Sequence, residues 1–244
     1  MPSKLANSSA TVLITGGTQR LGLAIAEDLL QQGYPVIVTY RSDKPAVQAL
    51  RDKGADCIIA DFSDEQGISQ FIAYVLENYS ALRAVIHNAS QWLNNTALDN
   101  QHQLMQAMWS VHVSAPYQLN IAFEKLLKNH QDQQASDIIH MTDYVADKGS
   151  SKHIAYAASK AGLANLTHSF AAKLAPAVKV NSIAPSLLMF NQDDPPEYRT
   201  KALAKSLMAL EPGASEAVAA VNYLLASKYI TGRTIGLDGG RHLV

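Results

Sequence analysis

From position 11 onward the chain alternates short apolar runs with longer segments in which apolar residues recur every three or four positions. The short runs read as strands buried on both faces and the longer ones as amphipathic helices, a pattern that builds βαβ units on a parallel sheet. Runs at 11–15, 36–40, 56–60, 82–87, 136–142, 178–183 and 234–237 predict about seven strands. Helices are predicted from the first glycine-rich turn to 32, over 44–53, after Asp64, over 101–129 with a kink at Pro116, over 153–174 and over 215–225. After Asp64, the residues Ile68, Phe71, Ile72, Val75, Leu76 and Tyr79 fall on one helical face. Gly33 is placed to close the first helix, and Pro176 stops the one before it. The stretch 185–210, with Asp193-Asp194 and Pro195-Pro196, interrupts the alternation and is expected to be an irregular lid or binding loop. No repeat or composition shift divides the chain. Residues 1–244 are therefore expected to form one Rossmann-type α/β domain, a doubly wound parallel sheet with helices on both faces.

Composition narrows the class of function. Hydrophobic residues make up 48%, enough for a sizeable core, and the net charge of -1 offers no electrostatic footprint for nucleic acid or an anionic membrane. The single cysteine, Cys57, precludes an internal disulfide and suits a reducing compartment; its apolar run to Ala60 predicts a buried thiol. Residues 1–10 lack the basic-then-apolar pattern of a signal peptide and no run is long enough to span a bilayer, so the cytoplasm is the expected location. The eight histidines show no i, i+4 pairing and no cysteine company, so no metal is expected.

Candidate chemistry centres on Tyr156-Ala157-Ala158-Ser159-Lys160. Residues four apart share a helix face, so the phenol and the ammonium address one small volume. A cation ~4 Å from the phenol is worth up to ~4 kcal/mol at an effective dielectric of ~20. That is at most ~3 pKa units, and it predicts a phenol lowered toward working range. By itself the spacing is common.

A cofactor end is suggested by Gly16 and Gly22 between the first strand and its helix, where exposed N-H groups and the helix dipole favour a pyrophosphate. The spacing is not the GxGxxG fingerprint, and a tight turn that binds nothing stays open. The second strand ends Thr39-Tyr40-Arg41-Ser42 with no carboxylate before Asp43. Arg20 and Arg41 suit a 2′-phosphate, which favours NADP(H) over NAD(H). Asp61 is placed either to accept from an adenine amine or to cap the next segment.

Thr15-Gly16-Gly17-Thr18-Gln19-Arg20-Leu21-Gly22, Asn88-Ala89-Ser90, Tyr156-x-x-x-Lys160 and Asn181-Ser182-Ile183-Ala184-Pro185 occur in the order found in the short-chain dehydrogenase/reductases, and nearly the whole chain resembles that family. The resemblance implies that Tyr156 is the catalytic acid/base and that Lys160 holds the nicotinamide ribose and lowers the phenol pKa. It also implies a cofactor site from Gly16, Thr18, Arg20, Leu21, Gly22, Arg41, Ser42, Asp61, Asn88, Ala89 and Ser90, with Pro185 and Ser186 beside the nicotinamide. Two positions depart from the common pattern. Asp143 stands thirteen residues before Tyr156, where most members have a serine, and His112 stands where an asparagine usually serves a water relay. For a lone histidine on a long helix, packing and relay both stay open.

Asp143, with Arg20 and with Trp92 two residues past Asn-Ala-Ser, resembles the pteridine reductase branch. That branch implies reduction of 7,8-dihydropterins, such as dihydromonapterin and more weakly dihydrofolate, by hydride addition at C6 and protonation at N5. Asp143 and Tyr156 would handle the proton. Trp92 would stack on the pterin, and Ser90 and Arg20 would bond its heteroatoms. Leu188, with Leu187, Met189 and Phe190, would close over it. Small residues Ala157, Ala161, Ala164 and Ala171 allow close helix approach, and the family implies a homotetramer. Reduction of a carbonyl such as a 3-oxoacyl thioester, or an idle NADP-binding protein, remain as alternatives.

Overall fold

A computed structural model describes residues 11–130 and 134–244 of the chain. The expectation for residues 1–10 lies outside the described residues.

One parallel sheet of seven strands has the order β3-β2-β1-β4-β5-β6-β7. The strands are β1 (Val12–Thr15), β2 (Val36–Tyr40), β3 (Asp56–Ile59), β4 (Ala84–His87), β5 (Ser136–Met141), β6 (Val178–Pro185) and β7 (Thr234–Leu237). Neighbours in a strand point to opposite faces, so each strand serves two cores. Val12 and Ile14 enter one core, with Val38, Ile86, Ile139 and Ile183, packed by α1 (Arg20–Gln31), α2 (Pro45–Asp52) and α9 (Ser215–Ala226). Leu13 enters the other, with Ile37, Val85 and Val180, packed by α3 (Glu65–Asn78), α5 (Ala115–Lys128) and α7 (Ile154–Leu174). The strand order reverses between β1 and β4, where loops splay apart and leave a crevice at the carboxyl ends of the strands.

Gly33 acts where it was expected, and two further local signals hold the fold. Gly33 takes φ +87 past α1, its N-H bonding to Leu30 O at 3.0 Å. The Asp64 side chain caps α3, accepting from Gly67 N at 2.8 Å. Asn181 pins β6 to the approach of β7, donating to Ile230 O at 2.8 Å and accepting from Arg233 N at 3.0 Å.

Two regions differ from expectation. The long helix over 101–129 is three pieces: α4 (Gln101–Trp109), a π-helical turn Ser110–Ser114, and α5. Pro116 has no N-H for the carbonyl four residues back, and its ring crowds that carbonyl. The helix answers by widening just before it, with Ala115 N-H bonding to Ser110 O, five residues back. The stretch 185–210 is not wholly irregular either. β6 runs on to Pro185, and α8 (Pro196–Leu203) begins at the Pro-Pro pair, since proline is at home in a first helical turn. A further short helix, α6 (Val145–Lys148), follows Asp143. No helix among the described residues is long and apolar enough to cross a membrane.

Candidate active site

The glycine-rich turn lies in the crevice between β1 and β4, and side chains from β4 hold it in shape. Asn88 donates through Nδ2 to Gly16 O at 2.8 Å and Thr15 O at 3.2 Å, while Thr15 Oγ1 accepts from the N-H groups of Asn88 and Ala89, both at 3.0 Å. Gly16 sits at φ +65, and a Cβ there would lie 2.8 Å from Ala89 Cα. At Gly22 a Cβ would lie 2.5 Å from Gly16 O, so only glycine lets α1 start this close to the strand ends. Gln19 gives α1 no side-chain cap, which leaves first-turn N-H groups facing the crevice.

The crevice is about 400 Å³. Gly16, Thr18, Arg20, Leu21 and Gly22 line it from the turn, Arg41 and Ser42 from the end of β2, Asp61 from beyond β3, and Asn88, Ala89, Ser90 and Trp92 from beyond β4. Asp61 Oδ1 accepts from Ser63 N at 2.9 Å, so it caps its own turn while lining the crevice. Lys44, bonded to Gln19 Oε1, adds a second cation beside Arg41. The sequence reading missed it, although three residues past Arg41 at the start of α2 was a legible position.

Arg20, expected at both the cofactor phosphate and the substrate, lines the crevice and also bonds outside it. At φ +50, the left-handed region that costs a non-glycine residue roughly 1–2 kcal/mol, its guanidinium donates to Asn191 Oδ1 at 2.6 Å and Met189 O at 2.8 Å. It therefore joins the glycine-rich turn to the stretch after β6. Trp92 is 65% exposed and stacks one indole face on His153, with centroids 4.3 Å apart. Leu188 is the residue expected to close over a substrate. It is 5% exposed and packs in the core of α1 and α9, because a chain leaving β6 must bury an apolar side chain to stay on the sheet. With Ser186 it borders a second cavity of about 330 Å³ toward β7. Pro185 ends β6, its carbonyl accepting from Tyr144 N at 3.1 Å.

Beside the crevice, Tyr156 OH donates to Asp143 Oδ2 at 2.9 Å, and Asp143 Oδ1 accepts from Val145 N-H at 2.9 Å. Lys160 is 2% exposed and spends one N-H on Met141 O at 2.7 Å. Burial pulls the Lys160 ammonium down to about 8, against the opposing pull of Asp143. Burial likewise raises the Asp143 carboxyl above its ordinary range, although Val145 N-H, Lys160 and Tyr156 all favour its charge. The phenol corrects the sequence expectation. Burial and then the Asp143 carboxylate hold Tyr156 well above its ordinary value, and Lys160, 5.7 Å from the ring centre, does not overcome them. The hydroxyl thus keeps its proton and points it at the carboxylate. Arg241, 4.5 Å over the Tyr144 ring, adds positive charge near Asp143.

His112, in the π turn, lies behind Ser90. Its Nε2 is 2.9 Å from Ser90 Oγ and 3.3 Å from Gln91 N, its Nδ1 is 2.8 Å from Ser159 Oγ, and its ring meets the Tyr156 ring edge-on at 5.4 Å. Burial, with the Lys160 charge adding to it, holds this imidazole well below its ordinary pKa.

A family model described as Enoyl-(Acyl carrier protein) reductase matches residues 17–242. The chain is 54% identical over 232 residues to the dihydromonapterin reductase of Enterobacter sp. (strain 638), covering 95% of this chain and 96% of that one. Against the dihydromonapterin reductase of Escherichia coli (strain K12) it is 53% identical with the same coverage. The crystal structure of FolM alternative dihydrofolate reductase 1 from Brucella canis complexed with NADP superimposes with a TM-score of 0.85 at 28% identity, over 99% of this chain and 96% of that one. The Brucella suis counterpart, also in complex with NADP, gives 0.84 at 27% identity over 96% of each chain. With its switch-point crevice, its Tyr156 and Lys160 side by side, and these relatives over nearly its whole length, the chain belongs to the short-chain dehydrogenase/reductase family, among the dihydromonapterin reductases.

Proposed function

We propose that this protein is an NADPH-dependent reductase converting 7,8-dihydropterins, 7,8-dihydromonapterin above all and dihydrofolate more weakly, to tetrahydropterins. The observation that carries the reading is the Asp143 carboxyl, 2.9 Å from the Tyr156 hydroxyl at a position where a serine would serve a carbonyl substrate. Either acceptor takes up a proton as its carbon takes hydride. A serine hydroxyl only hydrogen-bonds a ketone oxygen, whereas a carboxyl can itself hold and pass on the proton that an imine nitrogen receives. The paired phenol and carboxyl hold that proton in a buried place, and Tyr156 delivers it to N5 with Asp143 as its store. Lys160 orients the ribose of the cofactor and carries the positive charge that steadies Asp143.

The crevice fits NADP(H) by its own chemistry. The uncapped start of α1 offers N-H groups to a pyrophosphate, and the glycines leave room for it. Arg41, Ser42 and Lys44 suit a 2′-phosphate, and Asp61 suits the adenine amine. Asn88, Ala89 and Ser90 line the path to Pro185 and Ser186 at the nicotinamide end. When bound, NADPH supplies the hydride that C6 accepts.

With His153 on one face, the other face of Trp92 is available to stack on a flat bicycle. The stretch 186–210 acts as the substrate lid, with Leu187, Met189 and Phe190 rather than Leu188 nearest the ligand. Residues 1–244 act as one cytoplasmic domain. Exposed Met105, Trp109, Tyr117 and Ile121 on α4 and α5 support a homotetramer paired through these helices.

The reading is tested by following NADPH oxidation with dihydromonapterin, dihydrofolate and an acetoacetyl thioester in parallel. Turnover of the dihydropterins with none of the thioester is expected. Turnover of the thioester alone would remove the pterin reading, and tight NADPH binding without any turnover would favour an idle binding protein.

A further inference from the structure

His112 is fully buried at 0% exposure, and its partners fix where its proton sits. The Gln91 backbone N-H can only donate, so Nε2, 3.3 Å away, is an acceptor. A neutral imidazole with an accepting Nε2 carries its hydrogen on Nδ1, which donates to Ser159 Oγ at 2.8 Å. That assignment agrees with the other side of Ser159, whose hydroxyl hydrogen goes to Tyr156 O at 2.7 Å and leaves a lone pair for the imidazole. The Ser90 hydroxyl, 2.9 Å from Nε2, must then be the donor in that contact. Its hydrogen faces inward, and its oxygen, which also lies within reach of the Tyr156 hydroxyl, lines the crevice as an acceptor. The directions of the contacts to Ser159 and Ser90 thus follow from one backbone amide.

We propose that His112 is a positioning residue that presents Ser90 to the ligand as a hydrogen-bond acceptor, so that the site selects an N-H edge of a heterocycle over a carbonyl oxygen. The proposal rests on the pterin reading and deepens it, because a dihydropterin offers N-H donors where a keto-thioester offers only oxygen acceptors. An asparagine, the residue type expected here in the wider family, has both a donor and an acceptor at its tip and would leave the Ser90 hydroxyl free to turn. The π turn is what brings the imidazole within reach of Ser90 on one side and Ser159 on the other. Asp143 and Tyr156 handle the proton of the reaction, and Ser90 under His112 reads which ring has arrived.

Two measurements test this on the full-length protein. Nitrogen-15 NMR of histidine-labelled wild-type protein reports the tautomer, and the His112 ring is expected to show a protonated Nδ1 with a bare Nε2. An Nε2-H tautomer would overturn the proposal whatever the substrate turns out to be. The second is a double-mutant cycle on kcat/KM for dihydromonapterin with Ser90→Ala and His112→Phe, and with His112→Asn in place of the phenylalanine should that variant not fold. Each single change is expected to lower kcat/KM about tenfold, the scale of one hydrogen bond of about 1.4 kcal/mol. If His112 acts through Ser90, the double variant falls no further than the worse single one. Losses that multiply to about a hundredfold would show that His112 works independently of Ser90, and the proposal would fail. Wild-type turnover of dihydromonapterin accompanies every run, so an inactive wild type sinks the pterin reading while the tautomer result stands apart.

Discussion

Two of the polar clusters buried among the described residues make a contrast, one closed and one open. The closed cluster runs from β4 through α5 and β5 to α7. His87 Nε2 meets Asn120 Oδ1 at 2.7 Å, Asn120 Nδ2 meets His140 Nε2 at 3.1 Å, His140 Nδ1 meets Thr167 Oγ1 at 2.9 Å, and Thr167 Oγ1 donates to Leu163 O at 3.3 Å. Each donor is matched to an acceptor in one consistent direction, and each of these side chains is at most 3% exposed. The open cluster, Asp143, Tyr156, Lys160, His112 and Ser90, uses the same kinds of group but ends at the crevice. Lys160 donates to Met141 O, and Ser90, bonded to His112, lines the crevice. The difference teaches where to look for chemistry. Burial alone marks both clusters, whereas the crevice at the strand ends is lined by a member of only one of them.

The comparison breaks most sharply at Asp143. Asp143→Ser is expected to lower kcat for dihydromonapterin by roughly 10²–10⁴ while leaving NADPH affinity within a few-fold, as read by steady-state kinetics and by titration of cofactor fluorescence. Equal losses in both would return Asp143 to a merely structural role. In the closed cluster the effect should move to stability. Asn120→Leu strands two imidazoles and is expected to cost about 2–4 kcal/mol in urea unfolding, with kcat per folded molecule nearly unchanged.

Acid sharpens the same contrast. Burial pushes the His87 imidazole down to about 4, so the unfolded chain takes up a proton near pH 6.5 that the folded one refuses until about pH 4. Stability from this group is complete above pH 6.5 and is lost as pH falls through that window, at about 1.4 kcal/mol per pH unit. His87→Gln should flatten the acid side of the stability profile by that slope, and an unchanged slope would mean His87 titrates normally. The smallest effect belongs to the exposed rim. Arg41→Ala and Lys44→Ala should each weaken NADPH by about five- to tenfold, on the order of 1 kcal/mol, and leave NADH untouched.

The parts legible in the sequence were those carried by short spacings. The seven strands, the glycine-rich turn and the Tyr156-Lys160 pair each lie within a few residues, and the fold puts them at the carboxyl ends of the strands as such patterns dictate. The rest depended on residues that meet only after folding. The direction of the Tyr156 pKa was misread because burial and Asp143 outweigh a lysine committed to Met141. The bonds of Arg20 to Met189 and Asn191 could not be foreseen because they join positions far apart in the chain. That Leu188 packs against α1 and α9 could not be told from composition. At Pro195-Pro196 the signal was present and read the wrong way, as a breaker where it starts a helix.

The widened turn at Ser110–Ser114 has one more consequence. A residue added to a helical turn rotates everything beyond it by about 100° relative to a regular α-helix. Ahead of it, Leu104 and Met108 pack beside Tyr156; beyond it, Leu119 and Phe123 pack under the sheet. Delete one residue there and the rod would regain its regular pitch, but it could satisfy only one of those two surfaces. The helix aims at the site and at the core together because its two halves are out of step.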